Sequence, residues 1–324
     1  MTAVDRRAFL GVTVGAAVGC GTHVLAALAG ASTGTRRLFA AEPRGLMVRR
    51  EPWGRLERVA DGVWMLISTP LAGDHASGSM RTFSNGGLVA GREGVLAVEG
   101  FASVEGARWL AEEARRLTGR WPSHVVLTHC HGDHSAGLGG YRAEGARVDI
   151  LGTAMTRDLL HQRRPEAVLP TTIVPVLGPT ELDLGGRRVR IDPREGHTPS
   201  DLTVEVLDPR VVWCGDLVWN GLFPNFVDAI PSRQTAHVRR LAAEPAMLWV
   251  PGHGSAARTP ELRAFLALLE SIEAGARSAI ARGVPATAAV REWRPPAALG
   301  EWVRFSDDYY EVAFRAWEKE LGHE

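Results

Sequence analysis

The sequence predicts an α+β fold, an αββα sandwich of two packed mixed β-sheets flanked by helices. Short apolar strands bounded by glycine and aspartate turns fill residues 55–151 and again 173–250, and helical periodicity follows the strands in each half. No internal repeat relates the halves. The 324 residues, 45% hydrophobic and 23% charged, suffice for one large core with an appendage. The formal net charge of +0 gives no basis for a nucleic-acid partner or an electrostatic hold on a membrane.

Taken in order, residues 55–68 form two strands turning at Asp61-Gly62, a hairpin signal. Residues 71–81, with Asp74 and His75, have no period and read as a flexible loop, a candidate flap over a site. Strands at 83–90 and 94–99 flank Gly91-Arg92, and apolar spacing makes 104–117 a helix. A short apolar strand at 124–128, a helix at 135–144 and a strand at 148–151 complete the first half. The second half has strands at 173–176, 187–191, 202–206, 211–214 and 247–250, with a helix at 232–243 before the last of them. The core is thus expected over 55–256, with a helical extension over 257–324 packed on it, its helices at 260–282 and 305–321.

The N-terminal segment has a different character. Arg6-Arg7 precede Ala8-Phe9-Leu10 and a weakly hydrophobic run rich in glycine and alanine, resembling a twin-arginine export signal over residues 1–31. Glycines and His23 make that run a poor anchor helix, and Ala29-Gly30-Ala31 offers a small-residue cleavage site. The expectation is a periplasmic or secreted protein with a linker at 32–54, no lipid anchor at Cys20 and no stable membrane partner after cleavage. Of the three cysteines, Cys130 and Cys214 read as small buried fillers and not as a disulfide.

The chemistry concentrates in Thr128-His129-Cys130-His131-Gly132-Asp133-His134, on a loop between a strand and a helix. Imidazole and carboxylate are the ligands that zinc and iron prefer. In an extended loop residues two apart face the same way, so His129 and His131 can share one ion. A turn at Gly132 lets Asp133 and His134 address a second. Three further segments, Gly196-His197-Thr198, Gly215-Asp216 and Pro251-Gly252-His253-Gly254, each place a ligand-type residue beside glycine at a strand end. Singly each is weak; arriving in this order they complete a set.

This set resembles the dinuclear metal site of the metallo-β-lactamase-fold superfamily, whose pattern is HxHxDH followed by His, Asp and His. The resemblance covers residues 55–256 and all seven ligand positions. It implies that His129, His131 and His197 hold one ion, that Asp133, His134 and His253 hold the other, and that Asp216 bridges them. It implies two zinc ions per chain, with iron or manganese as alternatives, and hydrolysis by a hydroxide held between them, with Asp133 and Asp216 as catalytic carboxylates. The family usually has an aspartate as an outer partner of the site where this chain has Glu99, one methylene longer.

The same resemblance narrows the substrate, a small molecule. Established zinc β-lactamases lack an aspartate at the bridging position, which Asp216 fills, so β-lactam activity is a lesser alternative. Lactonases of quorum signals commonly carry a tyrosine three residues after the bridging aspartate, where this chain has Trp219. Glyoxalase-II-like thioesterases share all seven ligands, but the C-terminal region here shows no clear match to their glutathione-binding helices and an exported protein would meet little glutathione; iron persulfide dioxygenases share part of the set and normally use only the first metal position. The favoured expectation is cleavage of an ester, thioester, lactone or cyclic amide, with an iron-dependent sulfur dioxygenase as the alternative. Trp219, Leu222, Phe223 and Phe226 are candidates for an apolar pocket wall, and His75 for a further residue at the site.

Overall fold

The structure, a computed structural model, describes residues 43–68, 81–145 and 147–322. The export signal, the linker up to residue 42 and the loop carrying His75 lie outside the described residues. Period-two burial organises the sandwich. In β3 (Val63–Ile67), Val63, Met65 and Ile67 face the other sheet, whereas Trp64 and Leu66 face the helix layer. In β5 (Val95–Val98), Leu96 and Val98 face inward, while Val95 and Ala97 face the helices. Both strands read as continuous apolar runs because each is covered on both faces.

Strands β1 (Leu46–Glu51), β2 (Gly54–Ala60), β3, β4 (Gly86–Ala90), β5, β6 (His124–Val126), β7 (Asp149–Gly152) and β8 (Thr172–Ile173) form one eight-stranded sheet in chain order. It is antiparallel through β5 and parallel from there to β8. The second sheet has five strands, ordered β13 (Leu248–Gly254), β12 (Arg210–Asn220), β11 (Leu202–Leu207), β10 (Arg188–Pro193) and β9 (Thr180–Asp183). Between the sheets, Val126 and Leu151 meet Ile191, Val204, Trp213 and Val250. Trp213 Nε1 donates to Gly86 O at 2.8 Å, one polar tie across an apolar interface.

Helix α1 (Val104–Thr118) covers the first sheet, capped by Ser103 Oγ and ended by Gly119 at φ 74. The short α2 (Gly132–Ser135) follows the histidine-rich loop, and α3 (Ala154–Arg163) links β7 to β8. Against the second sheet lie α4 (Pro231–Ala243), α5 (Thr259–Ala281), α6 (Ala286–Glu292) and α7 (Tyr309–Leu321), with Phe265, Leu269, Phe314 and Trp317 in one buried cluster with β12. The C-terminal helices therefore share a buried cluster with the second sheet. No described helix is long and apolar enough to cross a membrane.

Four local expectations are corrected. Residues 46–51, read as linker, pair as β1 against β2, because the Arg44 and Gly45 amides donate to buried Glu57 at 2.7 and 2.8 Å and hold the chain at the sheet edge. The strand expected from residue 83 starts at Gly86, since Phe83 sits at φ 64, outside the extended region. The helix expected at 135–144 is 3₁₀ over Leu138–Gly145, where Gly139 and Gly140 are poor α-helix formers. The strand at 173–176 shortens to Thr172–Ile173 as the chain leaves the sheet edge, with Val176 exposed.

Candidate metal centre

All seven predicted ligands meet at one edge of the sandwich, delivered by separate strand ends. The loop after β6 brings His129, His131, Asp133 and His134; the turn after β10 brings His197; β12 carries Asp216, and β13 carries His253. They form two groups whose potential donor atoms lie within 4.8 Å of one another: His129, His131, His197 and Asp216, and Asp133, His134 and His253. Asp216 faces both. Its Oδ2 is 3.4 Å from His197 Nε2 and its Oδ1 is 3.2 Å from His134 Nε2 and 3.5 Å from His253 Nε2. Asp133 Oδ2 is 3.1 Å from His253 Nε2.

One carboxylate organises two imidazoles. Glu99 is fully buried, accepts from Thr128 Oγ1 at 2.5 Å, and lies 3.0 Å from His134 Nδ1. With Thr128 donating to Glu99, its oxygen is left to accept from His129 Nδ1, 3.0 Å away. In its neutral form each ring then carries its proton on Nδ1 and presents the Nε2 lone pair. Both Nε2 atoms are buried and, among the described residues, have no hydrogen-bond partner, and Asp216 Oδ1 shares that condition. Buried polar atoms are rarely left so, and lone pairs converging beside a carboxylate are what a divalent cation would satisfy. The residues therefore fit metal ions. Glu99 holds φ 83, a conformation rare for a non-glycine residue, with Tyr141 Oη donating to its carbonyl at 2.8 Å.

Asp228 was not foreseen. Its Oδ2 is 2.9 Å from His131 Nε2, and Arg163 grips the same carboxylate through NH1 at 2.6 Å and NH2 at 3.1 Å. Burial raises the Asp228 pKa, but hydrogen bonds from His131 and Arg163 outweigh it and hold the group far below the usual carboxylate range. The ionised Asp228 fixes the His131 proton on Nε2 and turns Nδ1 toward His197 Nε2, 3.1 Å away. Asp228→Ala is expected to lower affinity for the ion at this group by about 10–100-fold, as loss of an outer partner typically does. Competition with a chromophoric chelator measures it; unchanged affinity would remove the role.

Asn85 was also missed. Its Nδ2 donates to Pro251 O at 2.9 Å and Gly254 O at 2.8 Å, pinning the turn that carries His253. No motif signals it, because its partners lie more than 160 residues away.

Of the proposed pocket wall, Trp219 stacks behind His253 with ring centroids 4.4 Å apart and donates from Nε1 to Asp216 O at 3.0 Å. It is buried and supports the ligands from behind. Phe223 and Phe226 belong to the hydrophobic core, and Phe223 packs edge-on to Tyr310 of the C-terminal region at 4.7 Å. The helical extension covers these rings, so they are not an open wall. Cys130 and Cys214 are buried and unbridged, and burial raises both thiol pKa values.

The electrostatics of the cluster set a pH dependence. Burial opposes charge on His253 and His134, but Asp216 and Asp133 outweigh it, lifting His253 to about 9 and His134 well above its ordinary value. Burial would raise the Asp133 pKa, but the His134 and His253 charges hold it at about 2. Without metal, the His253 contribution to stability is complete below about pH 6.5 and fades as pH rises through about 9. Metal uptake at pH 7 must displace these protons, so affinity rises with pH across that window. Calorimetry in buffers of different ionisation enthalpy is expected to show proton release; equal heats in all buffers would contradict it.

A family model described as metallo-beta-lactamase superfamily matches residues 79–264. A hydroxyacylglutathione hydrolase of Anaeromyxobacter dehalogenans (strain 2CP-C) is 32% identical over 183 residues, 56% of this chain and 66% of that protein. Another, of Acidiphilium cryptum (strain JF-5), is 34% identical over 145 residues, 44% of this chain and 55% of its own length. The chain thus spans somewhat less than two thirds of these relatives. A solved metallo-beta-lactamase from Pontibacter korlensis matches with a TM-score of 0.57 at 21% identity, covering 67% of this chain and 99% of that one, a likeness of fold. With its family model matched over more than half its length, the chain belongs to the metallo-beta-lactamase superfamily.

Proposed function

We propose that the chain is a hydrolase that uses two metal ions, zinc by its donor set, to cleave an acyl bond of a small molecule: an ester, thioester, lactone or cyclic amide. The observation that carries this reading is the division of seven ligand-type residues into two groups that share Asp216. His129, His131 and His197 would hold one ion, Asp133, His134 and His253 the other, and Asp216 would face both. Bound there, the ions would supply Lewis acidity, which acidifies water and polarises an acyl oxygen.

The chain's own residues do the positioning. Asp216, buried among four imidazoles, supplies fixed negative charge and keeps the two halves in register. Asp133 is more open, with 22% of its side chain exposed against 3% for Asp216, so it is the carboxylate that accepts a hydrogen bond from the attacking water and orients it. Glu99 and Asp228 hold the imidazoles in the tautomers described above. Neither cysteine takes part, since both thiols are buried and shifted away from the thiolate.

Among the candidate bonds, the thioester is favoured by the two relatives named hydroxyacylglutathione hydrolase. Export rests on Arg6-Arg7 and the run behind them. The test is a matched panel of oxyester, thioester, lactone and β-lactam substrates with the zinc-loaded chain. Turnover of one acyl class, abolished by a chelator and restored by zinc, is the expected result. Oxidation of a persulfide with iron, and no hydrolysis, would replace the reading.

A further inference from the structure

We infer that Arg164 and the bare backbone of Gly132 form a subsite that takes an anionic group of the substrate, a carboxylate, sulfate or phosphate, beside the metal centre. The inference rests on the hydrolase reading above and adds its substrate class.

Pro165 follows Arg164 and disfavours helical geometry there, so α3 ends with Arg164 at φ −145, ψ 83 and the chain turns away. The adjacent arginines then take different work. Arg163 is spent on Asp228 through both NH groups. Arg164 reaches the ligand loop, where its NH2 donates to Ser135 Oγ and to Cys130 O. Among the described residues no carboxylate lies within ion-pair distance of its guanidinium. Burial outweighs the nearby negative charges and pulls its pKa below the ordinary arginine value, although the group is still charged at any physiological pH. A half-buried guanidinium with one edge anchored and no counter-ion is suited to an anion from outside.

The other edge borders Gly132: apart from its chain neighbours and its own helix backbone, a Cβ on Gly132 would meet one heavy atom within 4 Å among the described residues, Arg164 NH1 at 4.0 Å. Gly132 does not have positive φ, so neither its backbone nor its packing calls for glycine. Its missing side chain leaves Arg164 NH1 uncovered at the loop position next in sequence to His131 and Asp133, the two partly exposed members of the cluster, at 15% and 22% of their side chains. An anion placed there meets NH1 while the rest of its molecule lies along the ligand loop.

The test uses the zinc-loaded full chain and a matched pair of thioesters, one with a free carboxylate near the acyl carbon and one with the corresponding carboxamide. Wild type is expected to favour the carboxylate by about tenfold or more in kcat/KM. Arg164→Gln should raise KM for the carboxylate about tenfold with kcat and zinc content nearly unchanged, leaving the carboxamide unaffected, and Arg164→Lys should recover part of the loss. An equal fall for both substrates would make Arg164 a tether of the ligand loop and overturn the subsite. A second readout needs no turnover: calorimetric titration of the metal-free chain with inorganic phosphate should show binding that Arg164→Gln abolishes. Equal phosphate binding by both forms overturns the subsite, whereas absence of any hydrolysis with phosphate binding intact overturns only the hydrolase reading.

Discussion

Asp216→Ala is expected to abolish turnover, by about a thousandfold or more, and to strip both groups of metal together. A single carboxylate stands 3.2 Å from His134 Nε2 and 3.4 Å from His197 Nε2, so its loss opens both halves at once. Removing one preorganised charge-stabilising group from an enzyme site typically costs about 10²–10³-fold, and a shared ligand removes more. The metal-free variant should also be less stable at pH 7. His134 and His253 would lose the carboxylate that offsets their burial, and stripping one partner from a buried pair costs about 3–5 kcal/mol. Kinetics, metal analysis and urea unfolding check the three parts. A variant that loses one ion and retains the other would show that Asp216 serves one group.

Gly252→Ala, a single added methyl, should be nearly as severe. A Cβ at this position would lie 1.8 Å from Asp216 Oδ1 and 2.8 Å from the Gly215 carbonyl carbon. Neither can yield, because Asp216 is held among imidazoles and β12 pairs in parallel with β13 at Gly215–Pro251. The variant must displace either the carboxylate or the turn bearing His253. Loss of metal affinity by at least about 100-fold is expected, with the fold retained, measured by chelator competition and circular dichroism. Full metal affinity in this variant would mean that the approach of β13 to Asp216 is looser than described.

The glycines beside His197, Asp216 and His253 were visible in the sequence, and their reason, that a Cβ at Gly196, Gly215 or Gly252 would lie within 3.0 Å of a neighbour, became visible only in the structure. The seven residues that the structure gathers in the cluster were legible because metal chemistry admits few residue types and places them at strand ends, where short apolar runs meet glycine. The two-sheet sandwich was legible because strands such as Val63–Ile67 and Val95–Val98 are apolar on both faces. The partners of the ligands were not. Asp228 and Asn85 have unremarkable local sequence, and their roles come from contacts across the fold. Phe223 and Phe226 looked like a pocket wall because they follow Asp216 closely, but apolar residues near a site and apolar residues under a helical extension have the same pattern in sequence. Leu46–Glu51 looked like linker because an edge strand with exposed arginines shows little hydrophobic alternation.

The most direct test of the central claim, that seven side chains sharing Asp216 hold two ions, is the metal content of the purified chain after equilibration with zinc. Two zinc ions per chain, falling toward none in Asp216→Ala, is the predicted result. One ion per chain at saturating zinc, with the other group of ligands still titrating as free imidazole and carboxylate, would contradict it.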